Sequence, residues 1–437
     1  MTRPTFRTIL LLSGLAAACG APEELPSSAR PPVETAAATP AASGLPMAEP
    51  DAVGMSAEGL ARIRPAMQAY VDDGRLAGVM TMVARRGQVV HWDAVGLRDL
   101  DAADPLEPDD IFRIFSMTKP ITTTAVMILV DEGAVALDDP LSKYVPEFAT
   151  VEVLTANGER VPANTPITIQ HLLTHTSGLT YGFFGDSPVD RLYRESGVMA
   201  AEHGLERFAA DVASLPLLAH PGEVWNYSVS TDILGRVVEV ASGQSFDTFL
   251  ETRILGPLGM TDTAFQVAAD TLDRFSGSYA TVEGALRMTD SPVDGQYTRP
   301  PTWLSGGGGL TSTASDYIRF AQMLLGEGAL DGVRILTPDT VRGMRTNHLP
   351  DRLVPIELAG YLSPGYGFGR GFAVLVDETA SPEPDNTGVH RWAGAANTFF
   401  WIDPAAELIG MVWMQYQPFA AYEIEREFQT LVYEAIE

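Results

Sequence analysis

Residues 112–148 read FRIFSMTKPITTTAVMILVDEGAVALDDPLSKYVPEF. From Lys119 to Glu132 the run is apolar with helical spacing, and Gly133 is its stop. If Ser116 opens that helix, its hydroxyl sits at the positive end of the helix dipole. Lys119 then lies three residues on, on the same face. Pro120 falls in the first turn, where its missing N–H costs nothing. A serine hydroxyl is a poor nucleophile until its proton is removed, and an uncharged, desolvated lysine can remove it. The chain has 29 Lys and Arg together, of which only Lys119 and Lys143 are lysine. Arginine does not release its proton, whereas a buried lysine does. A lysine kept in so arginine-rich a chain marks a place where arginine cannot serve, and Lys143 fits an ordinary surface cation. Taken alone, Ser116 and Lys119 equally describe a capping serine followed by a surface lysine.

The 437 residues are 46% hydrophobic, enough for one large domain or two intimately joined ones. The net charge of −27 repels nucleic acids and anionic lipid headgroups, which excludes nucleic-acid binding as a function class. The single cysteine, Cys19, rules out an intramolecular disulfide. It follows Arg3 and Arg7, a short apolar run from Ile9 to Leu15, and the small residues Ala16, Ala17 and Ala18. The run is too short to span a membrane. Residues 1–18 are therefore expected to be a signal peptide, cut after Ala18. The segment resembles a bacterial lipoprotein signal, with Ala16 where leucine is usual. The protein is expected to be exported to the periplasm or cell surface, touching a membrane only through a lipid on Cys19. Simple secretion by the same cut is the alternative. Residues 19–50, rich in Pro and Ala, are expected to form a disordered tether, with the folded part spanning 51–437.

Ser56 can cap a helix striped by Leu60, Ile63, Met67, Tyr70 and Val71 and stopped by Gly74. The runs 78–84 and 88–95, joined at Arg86-Gly87, predict a hairpin. Further helices are expected over 167–174, 201–213, 229–242 and 246–254. Strand patterns return at 398–402 and 409–415, and a helix carrying Ile424, Phe428, Leu431, Val432 and Ala435 closes the chain. Strands at both ends with helices between predict an α+β fold: an antiparallel sheet built from both chain ends, flanked by helices, with a mostly helical insertion over about 120–300.

The opening stretch, with HLLTHTSGL (171–179), PGEVWNYSVSTDILG (221–235) and LSGGGGLTSTASDYIRFAQMLL (304–325), resembles the class C β-lactamase and family VIII carboxylesterase group over residues 51–437. The resemblance implies a β-lactamase/DD-peptidase-like fold and a covalent acyl-enzyme on Ser116, with no metal or organic cofactor. It makes Tyr227, in the Tyr227-Ser228-Val229 motif, the tyrosine that shares a proton with Lys119. It maps the third motif to Trp392-Ala393-Gly394 and assigns the oxyanion hole to the N–H groups of Ser116 and Ala395. In the β-lactamases and peptidases of the group, lysine stands at the position of Trp392 and asparagine at that of Val229. With Trp392, Ala393, Gly394 and Val229 as substrate-binding residues, the resemblance implies a small-molecule ester or amide substrate and favours neutral esters with apolar acyl groups. Arg391 could restore a cation. β-Lactamase or D-alanyl-D-alanine carboxypeptidase activity is the alternative, as is an inactive binding protein on the same scaffold. Oligomeric state is not legible.

Rival constellations fall short. No G-x-S-x-G occurs. His171 and His175 have metal-ligand spacing but lack a third ligand. Gly306–Gly309 lacks the lysine of a phosphate loop and is expected to form a tight turn or bulge near the cleft. Tyr181, Phe183, Phe184 and Trp225 are candidates either for an acyl pocket or for core packing.

Overall fold

In the computed structural model, residues 44–200, 203–358 and 360–437 are described. The expected signal peptide, Cys19 and most of the expected tether lie outside them. Eight antiparallel strands form the main sheet: β1 (Gly78–Arg85), β2 (Gln88–Asp99), β3 (Asp104–Pro105), β4 (Tyr366–Phe368), β5 (Ala373–Leu375), β6 (His390–Gly394), β7 (Thr398–Asp403) and β8 (Leu408–Trp413). Their order in space is β4-β5-β6-β7-β8-β1-β2-β3. The N-terminal hairpin thus joins the C-terminal strands through the β1–β8 pair, with Met80 opposite Trp413 and Arg85 opposite Leu408. β1, β7 and β8 are buried along their whole length, the mark of strands covered on both faces.

The helices that matter here are α1 (Ala57–Ala61), α2 (Ile63–Asp72), α3 (Thr118–Asp131), α4 (Ser230–Ser242), α5 (Ala314–Leu325) and α6 (Ile424–Glu434). Ser56 accepts a hydrogen bond from Gly59 N as expected of a cap, yet the helix it opens breaks at Arg62. Pro65 explains the break, because it has no N–H for the carbonyl of Ala61 and its ring crowds that carbonyl. α1, α2 and α6 pack together, and residues 54–56 meet the C-terminal residues there, with Ser56 N donating to Ala435 O and Glu437 N to Gly54 O. α5 rests on β7 and β8.

α3 is buried on all sides from Thr118 to Leu129. Its threonines are accommodated by hydrogen bonds to carbonyls, from Thr122 to Gly306 O at 2.7 Å and from Thr124 to Pro120 O at 2.9 Å. The region between α3 and residue 300 is mixed, for it also holds hairpins over Glu152–Pro162 and Ser278–Asp290.

The folded body starts earlier than residue 51. Leu45 is buried, Val89 N donates to Pro46 O, and Ala48 N donates to Val89 O, so residues 44–48 are stitched to β2. Composition pointed to a tether, but a strand edge at Val89 supplies donors and acceptors that these residues satisfy. A chain starting at Gly44 is expected to be more stable than one starting at Pro50 by about 2 kcal/mol, the worth of one buried leucine side chain. Urea denaturation midpoints for the two lengths check this, and equal midpoints would contradict it.

Candidate active site

Ser116 does not sit inside α3. It lies in a 3-10 turn, Phe115–Met117, immediately before it. The preceding residue, Phe115, has φ 41°, a conformation disfavoured for a bulky side chain. The surroundings enforce it. Ile114 N donates to Leu310 O, Tyr317 OH donates to Met117 O at 3.0 Å, and Leu310 N donates to the Thr118 hydroxyl at 3.1 Å. Strain at a turn, over-determined by its neighbours, is the pattern of a functional site.

Lys119 is fully buried, and its Nζ lies 3.3 Å from Ser116 Oγ, 2.9 Å from Tyr181 OH and 2.6 Å from Gly307 O. Burial drives its pKa down from 10.5 to about 7, although the nearby Asp232 carboxylate raises it. Asp232 itself is completely buried in the first turn of α4. It accepts from Ser305 Oγ at 2.5 Å, Gly307 N at 2.9 Å and Tyr181 OH at 3.3 Å. Burial pushes its carboxyl pKa up, while Lys119 and these donors oppose the rise.

With Asp232 ionised and Lys119 neutral, these contacts fix which way each hydrogen points. An ionised carboxylate only accepts, so the single proton of Tyr181 goes to Asp232. Tyr181 oxygen must then accept from Lys119, as Gly307 O must. A neutral amine has two N–H bonds and one lone pair. Both N–H bonds are taken, and the lone pair is left facing Ser116 Oγ. The glycine run makes the approach possible. A Cβ on Gly307 would lie 2.4 Å from Asp232 Oδ2 and 2.6 Å from Tyr181 OH. The expected tight turn is there, and it contributes a carbonyl to the lysine.

Tyr227 is brought to the same place from the loop before α4. Its phenol hydrogen-bonds Ser116 and receives the Trp392 indole N–H at 3.4 Å. Burial pushes its pKa well above the usual tyrosine range. Lys119 Nζ lies over the Tyr227 ring, 4.5 Å from its centroid, and bonds to Tyr181 instead. Tyr227 and Lys119 therefore meet at the Ser116 oxygen and not directly. His175, with φ 54°, supports the ring of Tyr227 at 4.8 Å.

The third motif ends β6. Gly394 pairs with Thr398, and a Cβ there would fall 2.3 Å from Ile114 O, so only glycine lets this strand touch the turn that carries Ser116. Ala393 is partly buried and Ala395, at the tip of the following turn, is exposed. Trp392 packs 5.3 Å from both Tyr227 and Phe368.

Val229 is wholly buried at the start of α4, as Lys119 is in α3. One expectation is corrected. Arg391 points to the other face of β6, since alternate strand residues diverge. There it stacks on Tyr366 at 4.0 Å beside Glu383 and Asp385, and it brings no cation to the cleft. The histidines are also occupied separately. His171 Nδ1 accepts from Thr168 N in a capping box, and His175 Nδ1 accepts from Ser228 N. Among the described residues, no cluster of three His, Cys, Asp or Glu could hold a metal. Tyr181 turns out to be a lysine partner. Phe183 stacks on it at 5.1 Å, and Phe184 lies 5.5 Å from Tyr227. Phe183 and Phe184 are exposed, at 58% and 39%.

Comparison with known proteins shows the family. The Beta-lactamase family matches residues 63–434. Protein Rv1367c of Mycobacterium tuberculosis is 41% identical over 79% of this chain and 88% of its own. Esterase EstB of Burkholderia gladioli is 33% identical over 82% of this chain and 91% of its own. The solved structure of EstCE1, "a hydrolase with promiscuous acyltransferase activity", superposes with TM-score 0.74 at 27% identity, covering 86% of this chain and 99% of that one. The chain belongs to the beta-lactamase family, as a carboxylesterase-like serine hydrolase of that fold.

If Lys119 is the base, kcat/KM for ester hydrolysis should rise with pH through a limb centred at about 7, because the rate follows the fraction of neutral amine. Asp232→Asn removes the charge that raises that pKa, so its limb should move to lower pH. A limb that stays in place, or moves up, would contradict the coupling.

Proposed function

We propose that Ser116 is the nucleophile of a two-step acyl transfer on small neutral esters. The lone pair of Lys119 takes the hydroxyl proton as Ser116 Oγ attacks the ester carbonyl. The N–H groups of Ser116 and Ala395 receive the charge that develops on the carbonyl oxygen. The ester C–O bond breaks as Tyr227 gives its phenol proton to the departing alcohol, and the Lys119 ammonium, whose nitrogen lies over the Tyr227 ring, returns a proton to the phenolate, so both groups end the step as they began it. Water then attacks the acyl-enzyme, and its proton returns by the same route. A second alcohol can replace water, which gives acyl transfer in place of hydrolysis.

The observation that carries this reading is the lysine lone pair left over for Ser116 once Gly307 O and Tyr181 have taken both N–H bonds. A preference for esters over lactams and peptides is supported by the cleft wall. Trp392 stands where a lysine would bind a carboxylate, Arg391 is turned away, and Tyr181, Phe184, Tyr227 and Phe368 make the surroundings aromatic. Ser116→Ala is expected to lower p-nitrophenyl butyrate turnover by about 10⁴-fold or more and to abolish labelling by a fluorophosphonate. The wild-type enzyme should turn over this ester faster than nitrocefin. Unchanged ester turnover in the variant would overturn the assignment of Ser116, and faster nitrocefin turnover would favour the β-lactamase reading.

We also propose that the protein is exported and lipidated on Cys19, supported by the position of its single cysteine directly after three alanines. Labelled fatty acid should enter the expressed chain and be lost in Cys19→Ser. Equal labelling of both would contradict it.

A further inference from the structure

Two buried carboxamides lie just outside the site and hold its two halves together. Asn397 is 4% exposed and closes the turn after Gly394 with φ 61°. Its side-chain amide donates to Tyr416 O at 2.6 Å and to Pro418 O at 3.2 Å, and its Oδ1 accepts from Ala420 N at 2.8 Å. Its backbone adds Asn397 N to Gly394 O and Met414 N to Asn397 O, while Tyr416 N donates to Ala396 O. The tip that carries Ala395 is thereby fastened to residues 414–420.

The same segment holds the nucleophile turn. Gln415 Oε1 accepts from Arg113 N at 3.1 Å, and its Nε2 donates to Arg113 O at 3.0 Å. A carboxamide carries one donor and one acceptor side, as a peptide does, so Gln415 extends the backbone at Arg113 like a strand partner. Arg113 lies three residues before Ser116, and it is wholly buried and anchored by Asp290 Oδ2 at 2.5 Å. Residues 414–420 therefore contact both chain segments that carry the oxyanion donors.

We propose that Asn397, with Gln415, is a positioning residue that sets the spacing between the N–H groups of Ser116 and Ala395. The proposal rests on the assignment of those two groups as the oxyanion hole. Asn397 does not touch substrate. It acts by holding the 394–397 turn against Ile114, where the absent Cβ of Gly394 leaves room for contact but supplies no tie of its own. A shift of a few tenths of an ångström in this turn changes both distances to the developing oxyanion.

Asn397→Asp is the informative change. Aspartate tolerates a positive φ as asparagine does, so the backbone preference is kept. Its carboxylate cannot donate to Tyr416 O or Pro418 O and repels both. Asn397→Gly keeps the backbone freedom and removes the side chain altogether, and it serves if the aspartate variant does not fold. Both are assayed on a p-nitrophenyl ester and on the corresponding thionoester. Sulfur is larger and a weaker acceptor than oxygen, so a well-placed oxyanion hole favours the oxygen ester, and a misplaced one discriminates less.

Each folded variant is expected to lose about 10- to 100-fold in kcat on the oxygen ester, less than outright removal of a donor, with KM within about threefold of wild type. Its oxygen-to-sulfur rate ratio should fall several-fold. A folded variant whose ratio matches wild type would overturn the proposal, whatever its kcat, because a general loss of stability lowers both rates together. Ser116→Ala in the same assay separates the two claims. If that variant keeps activity, the catalytic assignment fails. If it is inactive while the Asn397 variants keep the wild-type ratio, only the positioning role fails.

Discussion

An ammonium group taken wholly out of water would be expelled or would lose its proton. Lys119 meets that constraint inside α3, and the rest of the site follows from how it is met. Burial favours the neutral amine, Asp232 limits how far the pKa falls, and the outcome is an amine poised at about 7, as the proposed base requires. A deeper site without the carboxylate would give a lysine that is always neutral but a weaker base. A more exposed site would give an ammonium with no lone pair to offer.

The fold supplies the parts from distant places in the chain. Ser116 and Lys119 come from the turn into α3, Tyr181 and Tyr227 from loops of the inserted region, and Asp232 from α4. Gly307 comes from the glycine run before α5, and Trp392 and Gly394 from β6. The main sheet is made rigid by pairing the 78–99 hairpin with the C-terminal strands, and β6 is brought against the turn that carries Ser116 at Gly394. The aromatic side chains around Tyr227 make the cleft wall apolar and keep water from competing for the polar atoms within it.

Much of this is legible in the sequence, for identifiable reasons. Ser116 and Lys119 stand out through their spacing and through the scarcity of lysine. The hairpin at Arg86-Gly87, the strands of β7 and β8 and the closing helix follow from periodicity and turn residues, with bounds shifted by a residue or a few. What escapes is what only tertiary contact decides. Asp232 reads as an ordinary acidic residue in the first turn of a helix, favourable to the dipole. That it is buried against Tyr181 and Gly307 cannot be inferred from its neighbours in the chain. Tyr181 is identifiable as one of a cluster of aromatics, but not as a hydrogen-bond partner of the lysine. Arg391 is misread for the opposite reason, since motif position says nothing about which way a side chain turns. Alternation along β6 carries Arg391 away from the cleft. The packed segment 44–48 looks like its Pro- and Ala-rich surroundings and is ordered only by the edge it finds at Val89.

The chain offers an unusually direct view of its central group, because Lys119 and Lys143 are its only lysines. Lysine labelled with ¹³C at Cε gives two resonances, assigned by Lys143→Arg and followed through a pH titration by NMR. The account predicts that one resonance titrates near pH 7, whereas Lys143, paired with Asp139 on the surface, titrates above the ordinary lysine value. Two resonances that both stay protonated beyond pH 10 would contradict it.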